Sequence, residues 1–196
     1  MSNDHIGAGA QATPEPLIIP LEECHTDAAK RLWSERFECD DEKADKWLYN
    51  ARIDTDYVTQ GFVAVDRTQV VGFGIAAVGS AEYANNYVGD ALDLDVPDPT
   101  GILHILVVDA DYEGQGIGTE LVKCRLQWLA TTDAETVIGT AWHRETHHDS
   151  RALFAKFGFE RVATIEEYYL KTHGHTDCPD CEAECRCDAS VWRRDQ

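Results

Sequence analysis

The stretch that most constrains this chain runs from Leu103 to Leu129, LHILVVDADYEGQGIGTELVKCRLQWL. Leu103 to Val108 is an apolar, β-branched run with the composition of a buried strand. It passes through Asp109, Ala110, Asp111 and Tyr112 into three alternating glycines, Gly114, Gly116 and Gly118. Beyond them Ile117, Leu121, Cys124 and Trp128 recur at helical spacing, while Thr119, Glu120, Lys123 and Gln127 fall on the other face. The pattern predicts a strand, a turn and a helix that lays one face on a sheet. A helix start leaves N–H groups without partners and carries the positive end of the helix dipole, so it attracts phosphate. Glycines there let the backbone curl into a nest and approach the ligand closely. The spacing is neither the G-x-x-x-x-G-K-S/T of a P-loop nor the G-x-G-x-x-G of a dinucleotide fold.

The segment Glu113-Gly114-Gln115-Gly116-Ile117-Gly118 resembles the R/Q-x-x-G-x-G/A pyrophosphate loop of the GCN5-related N-acetyltransferase (GNAT) family. Val107-Val108-Asp109-Ala110-Asp111-Tyr112 stands where that family has a hydrophobic-V-D-P-x-Y strand end. A second resemblance lies downstream, where Ser150 to Phe159 is similar to the family's N-x-x-A-x-x-L-Y-x-k-x-G-F signature through Leu153, Lys156, Gly158 and Phe159. The order of expected elements also resembles the family fold from residue 17 to about 171: strand 17–21, helices after Thr26 and over 40–51, a hairpin of 61–65 and 70–78, the central strand and helix, strand 136–142, helix 151–157, and strands 159–163 and 165–170. The implied fold class is α/β, with a mixed, mostly antiparallel sheet of about six to seven strands flanked by helices and splayed between the central strand and the next. Residues 79–100 lack a sustained period, are acidic, and read as a loop facing the acceptor, with Tyr83 or Tyr87 at the mouth of the cleft.

The resemblance implies that the pantetheine arm of acetyl-CoA enters the splay like an extra strand. Leu106, Val107 and Val108 would offer it backbone groups, and Gly114, Gln115, Gly116, Ile117, Gly118 and Thr119 would hold the pyrophosphate. Arg151 and Lys156 would add charge near the adenosine end. The implied activity is transfer of acetyl from acetyl-CoA to an amine by direct attack in a ternary complex; the alternative is an acyl-CoA-binding regulatory module without catalysis. Such a reaction needs a base for the ammonium proton, a donor for the oxyanion and an acid for the leaving thiolate.

The chain departs from the family where acid–base residues are expected. Phe154 stands at the position of the family's acidic Tyr, His147 at the Asn that opens the second signature, and Trp142 at or near a glutamate used as base by some members. Glu113 replaces the loop's Arg or Gln, so its carboxylate should point away from phosphate. Substitute bases are His104 on the central strand and His143 and Glu145 after the strand ending at Trp142; imidazole titrates near working pH. Tyr168 and Tyr169 are substitute acids, although alternation in a closing strand explains them equally well.

The net charge is −19, from 36 Asp and Glu against 17 Lys and Arg. It offers no basic footprint for nucleic acid or an anionic membrane and mildly favours a cationic acceptor. Acid is spread along the chain and Lys is scarce, which resembles the proteins of salt-loving archaea. There a Debye length of about 3 Å at molar salt screens self-repulsion. Residues 1–16 read as a disordered leader without the basic start and apolar core of a secretory signal, and no apolar run approaches the ~20 residues of a membrane span. A cytoplasmic protein is expected, with a homodimer left open.

Residues 172–196 read as a Cys-rich tail. Cys178, Cys181, Cys185 and Cys187 place four thiols in ten residues, a donor set for tetrahedral zinc, with His173 or His175 able to replace one thiol. A redox-active or disordered tail is the competing reading. Four protein ligands leave no open position, so the metal would be structural or partner-binding.

Overall fold

The computed structural model describes residues 15–37, 42, 57–89, 92–144, 150–173, 181 and 185–196. Seven strands build one sheet: β1 Leu17–Pro20, β2 Tyr57–Asp66, β3 Gln69–Gly79, β4 Thr100–Val108, β5 Thr136–Trp142, β6 Glu160–Ile165 and β7 Ala189–Asp195. Their order is β1-β2-β3-β4-β5-β7-β6, and every neighbouring pair is antiparallel except β4 with β5. The mostly antiparallel sheet of an α/β fold is therefore as expected. The β2–β3 hairpin turns at the expected place, with Arg67 in the left-handed region at φ 56°.

Five helices are described: α1 Thr26–Phe37, α2 Ala81–Val88, α3 Ile117–Leu129, α4 Arg151–Lys156 and α5 Tyr168–His173. None is long and apolar enough to cross a membrane. Alternation along the strands sorts them into two layers. Phe73, Ile75, Ile105 and Val107 face α1 through Leu32 and Trp33, and Ala77 and Ile102 face α2 through Ala84 and Val88. Ala76, Leu103 and Val137 face the other way, toward Val122, Leu126 and Leu129 of α3. Both faces of β3 are thus covered, which is why nearly all of its residues are buried.

The structure differs from the sequence reading in four places. Residues 81–88 are a helix, not a loop: Ser80 Oγ accepts the Tyr83 N–H at 3.1 Å as N-cap, and Ala84 and Val88 bury a stripe one turn apart. Polar Glu82, Asn85 and Asn86 concealed that stripe. Residues 165–170 are not a strand, because the chain leaves β6 at Ile165, turns through Glu167 at φ 51° and enters α5. The buried face of α3 is Ile117, Leu121, Val122, Arg125, Leu126 and Leu129, with Cys124 on its flank instead of at its centre.

The fourth difference changes the domain boundary. The segment expected to be an appended tail ends in β7, an interior strand that pairs with β5 from Thr136↔Asp195 to Trp142↔Ala189 and with β6 on its other edge. Two such ladders bury Ala189, Ser190 and Val191 completely. The expected helix over 40–51 lies outside the described residues apart from Glu42, as does the leader up to residue 14.

Candidate active site

The site begins where two strands part. β4 and β5 pair at Gly101↔Val137, Ile102↔Ile138 and Leu103↔Gly139 and no further. A hydroxyl occupies the point of separation: Tyr87 of α2 donates to the Leu103 carbonyl at 3.3 Å and receives the Thr140 N–H at 3.4 Å, with Thr140 Oγ1 at 2.9 Å. The next ladder bond of a parallel pair would join that carbonyl to that N–H. Tyr87 therefore wedges the sheet open while keeping both backbone groups satisfied. Burial raises the pKa of its hydroxyl, which keeps it protonated and able to donate.

A bulge follows at once. Gly74↔Leu106 and Ala76↔Leu103 bracket Ile75 alone on β3 against His104 and Ile105 on β4. The phase beyond the bulge is set by Asp109 N donating to Val71 O at 2.9 Å. Backbone groups of an antiparallel strand alternate in direction, so those of Val107 and Ile105 turn to β3 while those of Leu106 and Val108 turn to the open side. Of the three residues expected to offer backbone groups to pantetheine, Leu106 and Val108 turn theirs to the open side, and Val107 spends its own within the sheet.

The bulge also places His104. It shares a face with Ile102, toward α1 and α2, and its Nε2 lies 2.7 Å from Tyr83 Oη while its ring meets the edge of Tyr87 at a centroid distance of 4.8 Å. His104 thus stands beside the apex of the opening, bonded to a phenol. On the opposite face Arg125 of α3 reaches under the bulge. It is 2% exposed, and its guanidinium donates to Leu121 O at 3.2 Å, Ile75 O at 3.3 Å and Ile105 O at 3.0 Å.

At the C-terminal end of β4 a 3-10 turn, Ala110–Tyr112, leads into the glycines. Gly114 and Gly116 have φ of 74° and 89°, a region that L side chains enter only with strain, and a Cβ on either would meet nothing within 4 Å. Gly116 is the N-cap of α3 and supplies no side-chain cap, so the first N–H groups of the helix, over Ile117, Gly118 and Thr119, receive no acceptor from it. Lys156 Nζ approaches Thr119 Oγ1 at 3.3 Å and brings a positive charge to this cradle. Gln115 turns its amide to the Asp111 carbonyl. Glu113 does point away: it pairs with Arg36 of α1 at 2.9 Å. The next residue of α1, Phe37, stacks on Trp142 at the end of β5 with ring centroids 5.5 Å apart. Consecutive residues of α1 thereby touch both banks of the opening.

Phe154 takes no part in this surface. It is buried in the α3-side core, stacked on Trp192 and edge-on to Phe159, with its ring against Gly139, where a Cβ would come within 2.6 Å of its Cζ. His143 is tied to the other flank of β5, its Nε2 2.9 Å from Ser190 Oγ of β7. Glu145 and His147 lie outside the described residues. Tyr168 donates its hydroxyl to the Tyr87 carbonyl at 2.9 Å, and burial raises its pKa and that of Tyr169. Tyr87 was expected near the cleft but on a loop and without its role between the strands; Arg125 and Arg36 were not foreseen. The one available signal was Arg125, a charge one turn from Leu121 and Leu129 on an otherwise apolar stripe.

Cys181, Cys185 and Cys187 converge, their sulfurs all within 4.8 Å of one another and those of Cys181 and Cys187 at 3.6 Å. Tetrahedral zinc with Zn–S of ~2.3 Å sets sulfurs roughly 3.8 Å apart, so the donors fit that ion. The Arg186 N–H points at Cys181 Sγ at 3.5 Å. Cys178 and His175 lie outside the described residues, as does the side chain of His173. The cluster is docked on the site's outer wall: Tyr168 N donates to Cys187 O at 3.1 Å, and His143 N to Asp188 O at 2.9 Å.

This geometry agrees with known proteins. The family model described as "Acetyltransferase (GNAT) family" matches residues 26–159. Three solved structures share the fold. Ribosomal-protein-alanine N-acetyltransferase from Brucella melitensis is 19% identical with a TM-score of 0.62, covering 92% of this chain and 99% of its own. The NatC complex bound to Gag peptide and CoA is 16% identical with a TM-score of 0.62, covering 93% and 99%. NAA60 of Arabidopsis thaliana in complex with a bisubstrate analogue is 14% identical with a TM-score of 0.64, covering 91% and 97%. No curated relative matches the chain by sequence.

Proposed function

The chain belongs to the GNAT acetyltransferase family, and from that premise we propose how it moves acetyl from acetyl-CoA to an amine. The observation that carries the reading is the alignment of three features on one bank: the wedge at Leu103, the outward backbone groups of Leu106 and Val108, and the bare helix start at Gly116. Pyrophosphate rests on the N–H groups of residues 114–119, with Lys156 beside it. The pantetheine arm runs down the opening and bonds Val108 and then Leu106, which puts the thioester at the deep end. Fixed backbone donors explain how a protein of net charge −19 binds a polyanion.

His104 then takes the proton of the attacking amine, held in position by Tyr83. The amine nitrogen bonds to the thioester carbon, the C–S bond breaks, and the sulfur leaves as thiolate to be protonated as CoA. The acceptor enters over α1 and α2, the face that carries His104. Peptide α-amines are natural candidates, since two of the structural relatives are a ribosomal-protein-alanine N-acetyltransferase and a NatC complex with a bound Gag peptide. The acidic surface favours a cationic acceptor.

Cys181, Cys185 and Cys187 would hold zinc, with Cys178 or a neighbouring His as fourth ligand, and the ion would tie the segment between α5 and β7 to the sheet. The acyltransferase unit accordingly runs from residue 17 through β7, with the Cys segment inside it. The charge suits a cytoplasm of molar salt.

The deciding experiment measures thiol release from acetyl-CoA across a panel of peptide and small amines in molar KCl. Release with an amine supports transfer; tight acetyl-CoA binding without release returns the regulatory-module reading.

A further inference from the structure

Arg125 poses an energetic question. A guanidinium is costly to take out of water, and among the described residues its hydrogen-bond partners are three carbonyls and no carboxylate. Burial lowers its pKa to about 10, so it remains a cation at neutral pH. A Met of similar volume would pack there without the desolvation cost. The charge is moreover specifically accommodated: a Cβ on Gly74 would stand 2.9 Å from Arg125 Nε, so β3 keeps that position bare.

The direction of one peptide plane shows what the charge reaches. Arg125 Nη1 holds the Ile105 carbonyl on the β3 side. The peptide is trans, so the Leu106 N–H on the same plane points the opposite way, into the opening. Two independent observations agree on that direction, since the ladder phase from Asp109 N to Val71 O also turns Leu106 outward. A donor on a carbonyl oxygen polarises the amide and strengthens its N–H, by about 10–30% per bond.

We propose that Arg125 is a positioning residue for acetyl transfer: from behind the bulge it fixes and polarises the 105–106 peptide so that the Leu106 N–H binds the oxyanion formed at the thioester carbonyl. This rests on the proposed acetyl-CoA site. As the amine attacks, negative charge collects on the thioester oxygen. The donor facing it is preorganised by the fold, so it needs no reorganisation as the charge develops. Removing an oxyanion donor outright lowers kcat by about 10²–10³-fold. Arg125 acts through the donor, so its loss should lower kcat by about one decade to two while leaving the binding of CoA, which has no acyl carbonyl, unchanged.

The test is isotope-edited difference infrared spectroscopy of acetyl-CoA, carbon-13 labelled at the carbonyl, bound to the full chain. The wild type should lower the carbonyl stretch relative to acetyl-CoA in solution. Arg125→Met should bring it back toward the solution value, and Arg125→Lys, which keeps the charge and fewer bonds, should fall between. If Arg125→Met fails to fold, Gly74→Ala, which crowds the guanidinium from β3, should produce the same reversal. An unshifted wild-type band, or a variant that binds acetyl-CoA with the wild-type frequency, overturns the inference. A role in stability alone would lower Tm and leave the band in place. Failure of the wild type to bind acetyl-CoA at all in calorimetry would instead overturn the cofactor site.

Discussion

The Tyr83 hydroxyl and the His104 Nε2 stand 2.7 Å apart on neighbouring elements, α2 and β4, beside the place where the sheet opens. Such a contact fixes the imidazole's orientation and lets a proton taken by the ring be shared with the phenol. His104→Gln preserves a hydrogen bond to Tyr83 and abolishes proton uptake. It should lower kcat by about 10²–10⁴-fold with little change in acetyl-CoA affinity, and should flatten the acidic limb of the pH–rate profile. Tyr83→Phe should do less. Wild-type turnover in His104→Gln would move the base elsewhere.

Tyr87→Phe deletes the wedge hydroxyl and strands the Leu103 carbonyl and the Thr140 N–H. Leaving buried partners unmet costs about 1–3 kcal/mol, readable as a lower urea midpoint. The phenol also predicts alkaline sensitivity. Its folded pKa lies above the unfolded value near 10, so the native state holds more protons in that window. Stability should be intact below pH ~10 and decline as pH rises past it. Tyr168 and Tyr169 shift the same way, so Tyr87→Phe should reduce the slope without removing it.

Gly116→Glu puts a carboxylate where the first turn of α3 faces open space, at a φ of 89°. Acetyl-CoA affinity in titration calorimetry should fall by about tenfold or more, equivalent to at least ~1.4 kcal/mol. The left-handed backbone adds a stability loss of roughly 1–2 kcal/mol. Equal binding by both proteins would remove the pyrophosphate site from this turn.

Metal analysis of protein purified without chelator should give about one zinc per chain, and cobalt exchange should produce the absorption of a tetrahedral thiolate site. Cys185 is the buried member of the trio, 1% exposed. Cys185→Ser should therefore lose the metal and lower Tm. Full metal retention in that variant would assign the ion to other ligands.

With a net charge of −19, the urea midpoint should rise between 0.1 and 2 M KCl as the Debye length contracts from about 10 Å to less than 3 Å. A flat or falling midpoint would argue against a high-salt cytoplasm.

What the sequence exposed was local. Gly114, Gly116 and the helix after them lie within a few residues of one another, so spacing alone revealed the glycine turn and the helix start it leads into. The hairpin at Asp66–Gln69 and the strand Thr136–Trp142 were legible for the same reason. The wedge role of Tyr87 was hidden because it depends on meeting Leu103 and Thr140, residues far along the chain. Arg125 was hidden because helical periodicity assigns charges to solvent, and the carbonyls that hold it exist only once β4 bulges. Phe154 was correctly read as unable to donate a proton, yet only packing shows that its ring fills the space over Gly139.

β7 carries a consequence for how the molecule is made. Its seven residues separate β5 from β6, so until residue 195 is available two finished strands must wait with unmatched edges, and the ladder from Thr136 to Asp195 closes a span of 59 residues. Late, distant pairing of this kind slows folding and leaves strand edges open to aggregation. The strand that seals the sheet is thus synthesised after both of its neighbours, and a nascent chain halted anywhere before Ala189 would present a sticky gap rather than a shortened enzyme.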